Sequence, residues 1–256
     1  MADVLVCVKR VPDFSGEVLL SDDAQSADAR YVGHTLSNHD LCAVETAVQL
    51  AAATGGSATV LTVGSADGVE QLRTALGVGC TAATLVEADP VTLGPADVAR
   101  EIAAVVEAHG AEGRTHDLVL LGNDAADSGD FQVGIRLAKL LGRPVVTGVQ
   151  TVTLDGDEAT LVSDVAEGRE TYRVPTPAVV TILEGGVEPR YPTITGRMKA
   201  KKVPVEERSL TAEPVGSGRL RLRLPEQQSE TSTLVGDGPE AAPAVVDLLQ
   251  QLGVAR

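Results

Sequence analysis

The chain has 256 residues, of which 43% are hydrophobic and 2% aromatic, and its formal net charge is −15. This length accommodates one large domain, or one domain with an extension. The acidic charge argues against a nucleic-acid binder, because phosphate contacts need a basic surface. No apolar run reaches the ~20 residues of a membrane span, and the first residues lack the basic start of a signal peptide. We therefore expect a cytoplasmic protein with no membrane span.

Apolar strand-like runs alternate with helical patterns through the first two thirds of the chain. Strands are predicted at residues 4–8, 58–63, 82–86 and 118–121. Helices are predicted at residues 41–53, 67–76, 94–109 and 132–141, with Asn38 and Asp40 as possible caps of the first. Residues 10–37 form a polar excursion, either a hairpin or an irregular loop. This alternation predicts an α/β fold, a Rossmann-like parallel sheet with helices on both faces.

The pattern changes after Val145. Short alternating strands are predicted at residues 149–154, 159–165 and 169–174, joined by hairpin turns at Asp155-Gly156-Asp157 and Glu167-Gly168. An apolar strand follows at 177–183. Residues 184–238 have little periodicity and are too long for an ordinary loop, so they are either disordered or an arm on another subunit. A helix is predicted at about 240–252.

The turn between Leu118 and Gly134 is the most informative segment. A strand that delivers a polar turn to a helix N-terminus presents backbone N–H groups and the positive end of a helix dipole, which suits a phosphate. The turn also carries Asp124, Asp127 and Asp130, which oppose an anion unless they point away or bind ribose hydroxyls. From the residues alone, a nucleotide pocket and a plain turn are equally supported.

Other motifs leave alternatives open. Neither the dinucleotide fingerprint nor a P-loop is present, and Lys9-Arg10 is either a phosphate clamp or a solvated strand end. Phe14 is either a contact residue or part of a small satellite core. The four histidines are expected to be surface or capping residues. The three cysteines are expected to be buried, reduced thiols without a metal.

Seven stretches in this order resemble the β (small) subunit of electron transfer flavoprotein, the family that includes FixA-type subunits. The stretches together cover roughly residues 3–205, and the most specific are Glu-Pro-Arg-Tyr-Pro-Thr at 188–193 and Met-Lys-Ala-Lys-Lys at 198–202. The others are residues 4–13, 43–50, 72–79, 117–122 with the acidic turn, and 177–181.

The resemblance implies an electron carrier subunit rather than a stand-alone enzyme. Its partner would be an α subunit that holds FAD near the interface, while this subunit would hold a structural AMP. Flavin-dependent dehydrogenases would supply the electrons, and a downstream acceptor such as a quinone oxidoreductase would take them. Alternatives are an electron-bifurcating variant with a second FAD in place of AMP, and a universal-stress-type ATP-binding module, which leaves residues 184–238 without a role. The missing glycine fingerprint disfavours a nicotinamide-dependent dehydrogenase.

The resemblance also implies roles for individual residues. AMP would be bound by Cys7, Ser37, Asn38, Val63, Gly122, Asn123, Asp124, Ala125, Asp127, Ser128, Gly129, Asp130, Phe131, Gln132 and Val133. Phe14 and Asp164 would lie near the FAD of the partner. Recognition of the dehydrogenase would fall to Glu184, Glu188, Pro189, Arg190, Tyr191 and Ile194.

Three departures from the family pattern bear on the nucleotide and the dehydrogenase. Residues 36–40, Leu-Ser-Asn-His-Asp, stand where the family has an Asn-Pro-containing stretch, so Ser37 or Asn38 would replace its nucleotide-contacting Asn. Asn123-Asp124 replaces pairs such as Lys-Gln, and Ile194 replaces a leucine. The implied organisation has three parts: residues 1–183 as the nucleotide-binding domain with a β extension, 184–205 as recognition loop and basic segment, and 206–256 as a C-terminal arm whose terminal helix packs on the α subunit.

Overall fold

The computed structural model describes residues 1–13, 15–16, 18–28, 30–224 and 234–254. Its strands are β1 (Val4–Cys7), β2 (Val11–Pro12), β3 (His34–Thr35), β4 (Ala58–Gly64), β5 (Ala82–Glu87), β6 (Leu118–Gly122), β7 (Val145–Val149), β8 (Thr151–Asp155), β9 (Glu158–Val165), β10 (Gly168–Pro175), β11 (Ala178–Ile182) and β12 (Val205–Ser209). Its α-helices are α1 (Asn38–Thr54), α2 (Val69–Val78), α3 (Pro95–Ala111), α4 (Val133–Leu141), α5 (Ile194–Ala200) and α6 (Ala242–Gln251).

Seven parallel strands form the central sheet, in the order β12-β5-β4-β1-β6-β11-β7. Alternate residues of β1 enter two separate cores. Val4 and Val6 pack with apolar residues of α1 and α2, whereas Leu5 and Cys7 pack with those of α3 and α4. Helices therefore cover both faces of the sheet, and the predicted α/β, Rossmann-like class is confirmed.

The ends of α1 show how local sequence sets these elements. Ser37 is the N-cap, and its side chain accepts a hydrogen bond from the backbone N–H of Asp40. Gly55 ends the helix in a left-handed conformation with φ 71°, which glycine adopts at little steric cost. The helix begins three residues before the prediction, because Ser37 rather than Asn38 or Asp40 is its cap.

The polar excursion at residues 10–37 contains the short antiparallel pair β2–β3, and its other described residues are mostly irregular, so it combines both expected forms. The predicted strands at 149–154, 159–165 and 169–174 form a separate antiparallel sheet of β8, β9 and β10, whereas the one predicted at 177–183 joins the central sheet as β11.

Three elements were missed by the sequence interpretation. The strand β7 joins the central sheet beside β11, and β12 joins its opposite edge beside β5. The helix α5 lies inside the segment that had no periodicity. Residues 205–209 therefore belong to the central sheet, although the implied arm began at residue 206.

Two histidines contradict the expectation of surface or capping positions. His109 and His116 are both buried, and their rings approach to 3.0 Å between His109 Nδ1 and His116 Nε2. Burial lowers the pKa of both imidazoles, that of His116 to about 4.

Residues 210–222, called the strap below, are held by two buried carboxylates of α3. Asp97, which is 0% exposed, accepts hydrogen bonds from the backbone N–H groups of Val215 and Gly216 at 2.9 and 2.8 Å. Glu101, 1% exposed, accepts from the backbone N–H and the hydroxyl of Thr211. An irregular segment is thus fixed by carboxylates rather than by a sheet.

The chain forms two compact units, Met1–Leu222 and Arg223–Arg256. The second unit contains a 3₁₀ turn at Gly238–Ala241 and helix α6, none of whose residues is buried. Within the described part of the chain, no helix combines the length and apolarity needed to cross a membrane.

The strap gives a first prediction. Burial opposes ionisation of Asp97, but backbone N–H groups of Val215, Gly94 and Gly216 outweigh it and lower its pKa to about 2. We expect Asp97→Asn to lower the free energy of unfolding by about 1–3 kcal/mol, because hydrogen bonds to a buried charge weaken. Urea unfolding measures this loss, and trypsin cleavage at Arg219 and Arg221 should become faster.

The carboxylate of Asp97 also makes the free energy of unfolding depend on pH in the acidic range. Because its folded pKa lies below the ordinary 3.8, its stabilisation is complete above about pH 4 and is lost as the pH falls toward 2. The wild type should therefore lose more unfolding free energy over that range than Asp97→Asn. Glu107→Gln, an exposed change on the same helix, is the matched control; an equal effect of both variants would contradict the role of Asp97.

Candidate functional site

The candidate site lies where the chain changes direction across the sheet. After β1, the chain adds β4 and β5 on one side, and it then crosses to β6 on the other side of β1. The loops that follow β1 and β6 therefore diverge and leave a crevice at the carboxyl ends of these strands. Ligands of open parallel sheets bind in such crevices.

A buried carboxylate joins the two sides of this crevice. Asp40, in the first turn of α1, accepts the backbone N–H of Lys9 on Oδ2 at 3.0 Å. Its Oδ1 accepts the backbone N–H of Gly122 at 3.2 Å. A Cβ at Gly122 would lie 2.5 Å from that oxygen, so this position requires glycine. Asp40 thus fixes the end of β6 relative to the end of β1.

Asp40 was considered only as a possible helix cap, and its bridging role was missed. Burial raises its pKa to about 6, although the hydrogen bonds from Lys9, Gly122 and Ser37 oppose that effect. Its position in a first helical turn was the only local signal. The contact with Gly122 lies 82 residues away in sequence.

The side chain of Asn123 has a supporting role. Its Oδ1 accepts hydrogen bonds from the backbone N–H of Gly148 at 2.9 Å and from Thr181 Oγ1 at 2.6 Å. Its own backbone N–H donates to the carbonyl of Ile182. Asn123 therefore ties the turn to β7 and β11, and its side-chain oxygen is already occupied by these partners.

Basic side chains lie beside two carboxylates of the acidic turn. Lys9 Nζ lies 2.7 Å from Asp127 Oδ1, and His39 Nδ1 lies 2.8 Å from Asp124 Oδ1. The two carboxylates are engaged with basic groups, which offsets their charge where those groups are protonated.

A cleft of about 330 Å³ opens between the β2–β3 pair, the start of α1 and the acidic turn. It is lined by Val11, Pro12, Asp13, Thr35, Leu36, Ser37, Asn38, His39, Asp124 and Ala126. The structure thus brings together three predicted nucleotide contacts, Ser37, Asn38 and Asp124. Asp13, Thr35 and His39 join them without having been predicted, because only the fold brings the hairpin to the helix start.

The other predicted nucleotide contacts lie outside this lining. Cys7 is buried in the core beneath the end of β1, where burial raises the pKa of its thiol. Val63 packs partly buried against the same core at the end of β4. Residues 127–132 form the exposed remainder of the acidic turn, in which Phe131 has a left-handed φ of 54°. Such strain in a non-glycine residue is more frequent at functional sites.

The segment implied as a recognition loop is anchored at its base and exposed beyond it. The buried Glu45 of α1 receives Arg190 Nε at 2.9 Å on each carboxylate oxygen. Tyr191 and Ile194 are 84% and 82% exposed, and Ile194 begins α5 with Thr193 as its N-cap. Apolar side chains are therefore presented to solvent from a fixed support.

Two residues, Asp164 and Phe14, were expected to lie near the flavin of the partner. Asp164 lies on the exposed end of β9 and pairs with Arg169 Nε at 2.7 Å, and this hydrogen bond lowers the pKa of Asp164. Phe14 lies outside the described residues. Among the residues that are described, no group of three or more His, Cys, Asp or Glu side chains is arranged to hold a metal ion.

A family model and individual relatives of this chain all point to one protein family. The model of the electron transfer flavoprotein domain matches residues 27–213. The chain is 33% identical to the electron transfer flavoprotein subunit beta of Bacillus subtilis, over 97% of each chain. It is 34% identical to that of Syntrophomonas wolfei, over 93% of this chain and 91% of the relative, and 37% identical to the human one, over 79% of each.

The bridge formed by Asp40 yields a prediction. Asparagine keeps the size of this side chain but has one acceptor oxygen for two backbone donors. We expect Asp40→Asn to cost about 1–3 kcal/mol of unfolding free energy, because a buried donor loses its partner. Hydrogen–deuterium exchange should rise in the peptides that contain Lys9 and Gly122. Asp157→Asn, on an exposed hairpin turn, is the control; unchanged exchange in Asp40→Asn would contradict the bridging role.

Proposed function

The chain belongs to the electron transfer flavoprotein family, among its beta subunits, and we propose that it pairs with an alpha subunit whose FAD carries the electrons. In this proposal, flavin-dependent dehydrogenases reduce the flavin, and an acceptor such as a quinone oxidoreductase reoxidises it. The cleft at the carboxyl ends of β1 and β6 supports the proposal, since it would give this subunit a nucleotide site separate from the flavin.

We propose that this cleft holds AMP. Backbone and hydroxyl groups at the start of α1, around Ser37 and Asn38, would receive polar atoms of the nucleotide. The volume of about 330 Å³ is at the low end of the ~300–1,000 Å³ range of small-molecule pockets. A cleft of this size accommodates a small ligand such as a mononucleotide. The exposed residues of the acidic turn, from Asp127 to Gln132, and Val133 after them would cover the ribose and phosphate.

A carrier role fits the chemistry of the site better than a catalytic one. Asp40 accepts backbone N–H groups on both carboxylate oxygens, and Asn123 is an amide without a titratable proton, so both side chains act as structural supports. FAD, when bound to the assembled protein, supplies the redox chemistry. The residues of this chain would position the nucleotide and the partner proteins. All three cysteines are buried and unpaired, which supports a reducing compartment such as the cytoplasm.

Two exposed regions, the loop of residues 184–195 and helix α6, would contact the dehydrogenase and the alpha subunit, respectively. We place the dehydrogenase contact at the loop of residues 184–195, where Tyr191 and Ile194 are exposed above the Arg190–Glu45 anchor. One apolar anchor on a fixed loop suits a transient contact, because electron transfer requires rapid release. The exposed apolar residues of α6, among them Val246 and Leu248, would pack on the alpha subunit. Asp164 and Phe14 would lie nearer the flavin.

Nucleotide content tests the central proposal. The heterodimer, purified after expression with its alpha subunit, is denatured, and the released nucleotides are separated by chromatography. We expect one AMP and one FAD per heterodimer. Two FAD without AMP would refute the AMP proposal and favour the bifurcating variant, whereas release of ATP alone would favour a stand-alone ATP-binding module.

The recognition loop is tested by Ile194→Ala. We expect flavin reduction by a dehydrogenase that serves the heterodimer to slow by roughly tenfold, because a central apolar anchor is removed. FAD content should stay the same. Stopped-flow absorbance measures the rate, and Val91→Ala, an apolar change on the loop before α3, is the control. Equal rates in both variants would place the dehydrogenase contact elsewhere.

A further inference from the structure

A second buried carboxylate of α1 lies outside the lining of the cleft. Glu45 is 1% exposed, and each of its carboxylate oxygens accepts a hydrogen bond from Arg190 Nε at 2.9 Å. Its Oε1 also accepts from Gln49 Nε2 at 2.7 Å, and its Oε2 accepts the backbone N–H of Arg190 at 3.4 Å. Glu45 therefore receives donors from its own helix and from a residue 145 positions away in sequence.

The carboxylate of Glu45 stays ionised because of these donors. Burial opposes its ionisation, but the hydrogen bonds from Arg190 and Gln49 outweigh burial and hold the pKa of Glu45 below its ordinary value. Arg190 supplies the positive charge of the pair, and its side chain is 58% exposed. A buried charge that loses its partner is costly. The pair therefore favours the loop conformation in which Arg190 reaches Glu45.

The segment of residues 184–193 lies outside helices and strands, so its conformation depends on contacts with the rest of the protein. Two of these contacts are very close. A Cβ at Gly186 would lie 1.8 Å from the carbonyl oxygen of Gln150, and a Cβ at Gly77 would lie 2.9 Å from the Cβ of Pro192. The charged pair lies between these two contacts in sequence, so it fixes the middle of the segment.

The charged pair also lies next to the exposed side chains of the loop. Tyr191 is the next residue along the chain and Ile194 follows three positions later, and the two side chains are 84% and 82% exposed. Beyond them, Arg73 of α2 donates to the backbone carbonyls of Ala200 and Val203. One arginine contact therefore holds the chain before this exposed stretch, and another holds it afterwards.

We propose that Glu45 is a positioning residue for dehydrogenase binding: through Arg190, it holds the two exposed side chains that follow in the arrangement that the dehydrogenase contacts. The inference rests on the proposed dehydrogenase contact at residues 184–195. Glu45 is buried, so it does not itself touch the dehydrogenase. A preformed surface loses less conformational freedom on binding than a flexible one. The pair should therefore strengthen binding without altering electron transfer in the bound complex.

The experiment compares four forms of the heterodimer with its FAD: the wild type, Glu45→Gln, Arg190→Gln and the double variant. Glutamine keeps the size of Glu45 and removes its charge. Stopped-flow absorbance follows flavin reduction at increasing concentrations of a flavin-dependent dehydrogenase that serves the wild type. The half-saturating concentration reports binding, and the limiting rate reports electron transfer in the bound complex. Glu107→Gln, an exposed change of equal charge on α3, is the matched control.

Glu45→Gln should raise the half-saturating concentration roughly fivefold, because the unbound loop becomes less ordered, and the limiting rate should stay the same. Arg190→Gln should have the same effect. The double variant should bind no more weakly than either single variant, because all three lack the same interaction. Hydrogen exchange should rise in peptides that contain Tyr191. FAD content and flavin reduction by dithionite, which does not need the loop, should match the wild type, as should every property of Glu107→Gln.

An unchanged half-saturating concentration in Glu45→Gln would overturn the inference. A loss confined to Arg190→Gln would also do so, because Arg190 would then contact the dehydrogenase directly. Effects of the single variants that multiply in the double variant, or a loss of FAD, would contradict it as well. Ile194→Ala is measured in parallel. If it weakens binding while Glu45→Gln does not, only the inference fails; if neither variant weakens binding, the proposed dehydrogenase contact at this loop fails too.

Discussion

The carboxylate of Asp40 is the constraint on which the candidate site depends. The parallel sheet fixes β1 and β6 side by side, but it does not fix the loops that leave them in opposite directions. Asp40 does so by accepting one backbone N–H from each loop. Burying a carboxylate is costly unless donors compensate it. Here two backbone donors and the N-terminal end of α1 stabilise the ionised form, and the raised pKa shows that they offset only part of the cost.

Local pairing, rather than net charge, sets the electrostatics of the cleft in so acidic a chain. The overall charge of −15 acts at long range and is screened within about 10 Å at moderate salt. At the cleft, the relevant charges are those within a few ångströms, where Lys9 meets Asp127 and His39 meets Asp124. The acidic turn thus brings carboxylates to the site, and their basic partners come from the loop after β1 and from α1.

The sequence predicted those parts of the fold that have a local cause. Continuous apolar runs identified β1, β4, β5 and β6, and glycines such as Gly55 marked helix ends. By contrast, β12 reads Val-Glu-Glu-Arg-Ser and has no strand pattern, because an edge strand is defined by its pairing with β5 rather than by burial. The residues of the cleft were predicted only in part, because some of them are brought together only by tertiary contacts. Ser37 and Asp124 follow from motifs, whereas His39 and Asp13 contribute only through the tertiary fold.

The structure uses the same arrangement in two places. Asp40 lies in the first turn of α1 and Asp97 in the first turn of α3. Each is buried, and each accepts backbone N–H groups from segments distant in sequence. A first-turn aspartate is favoured by the helix dipole, so it can stay ionised where an isolated carboxylate would not. Irregular segments lack the regular helix or sheet partners that satisfy backbone donors elsewhere in the fold. A buried acceptor at a helix start therefore gives a loop, or the strap, a fixed position without requiring a strand.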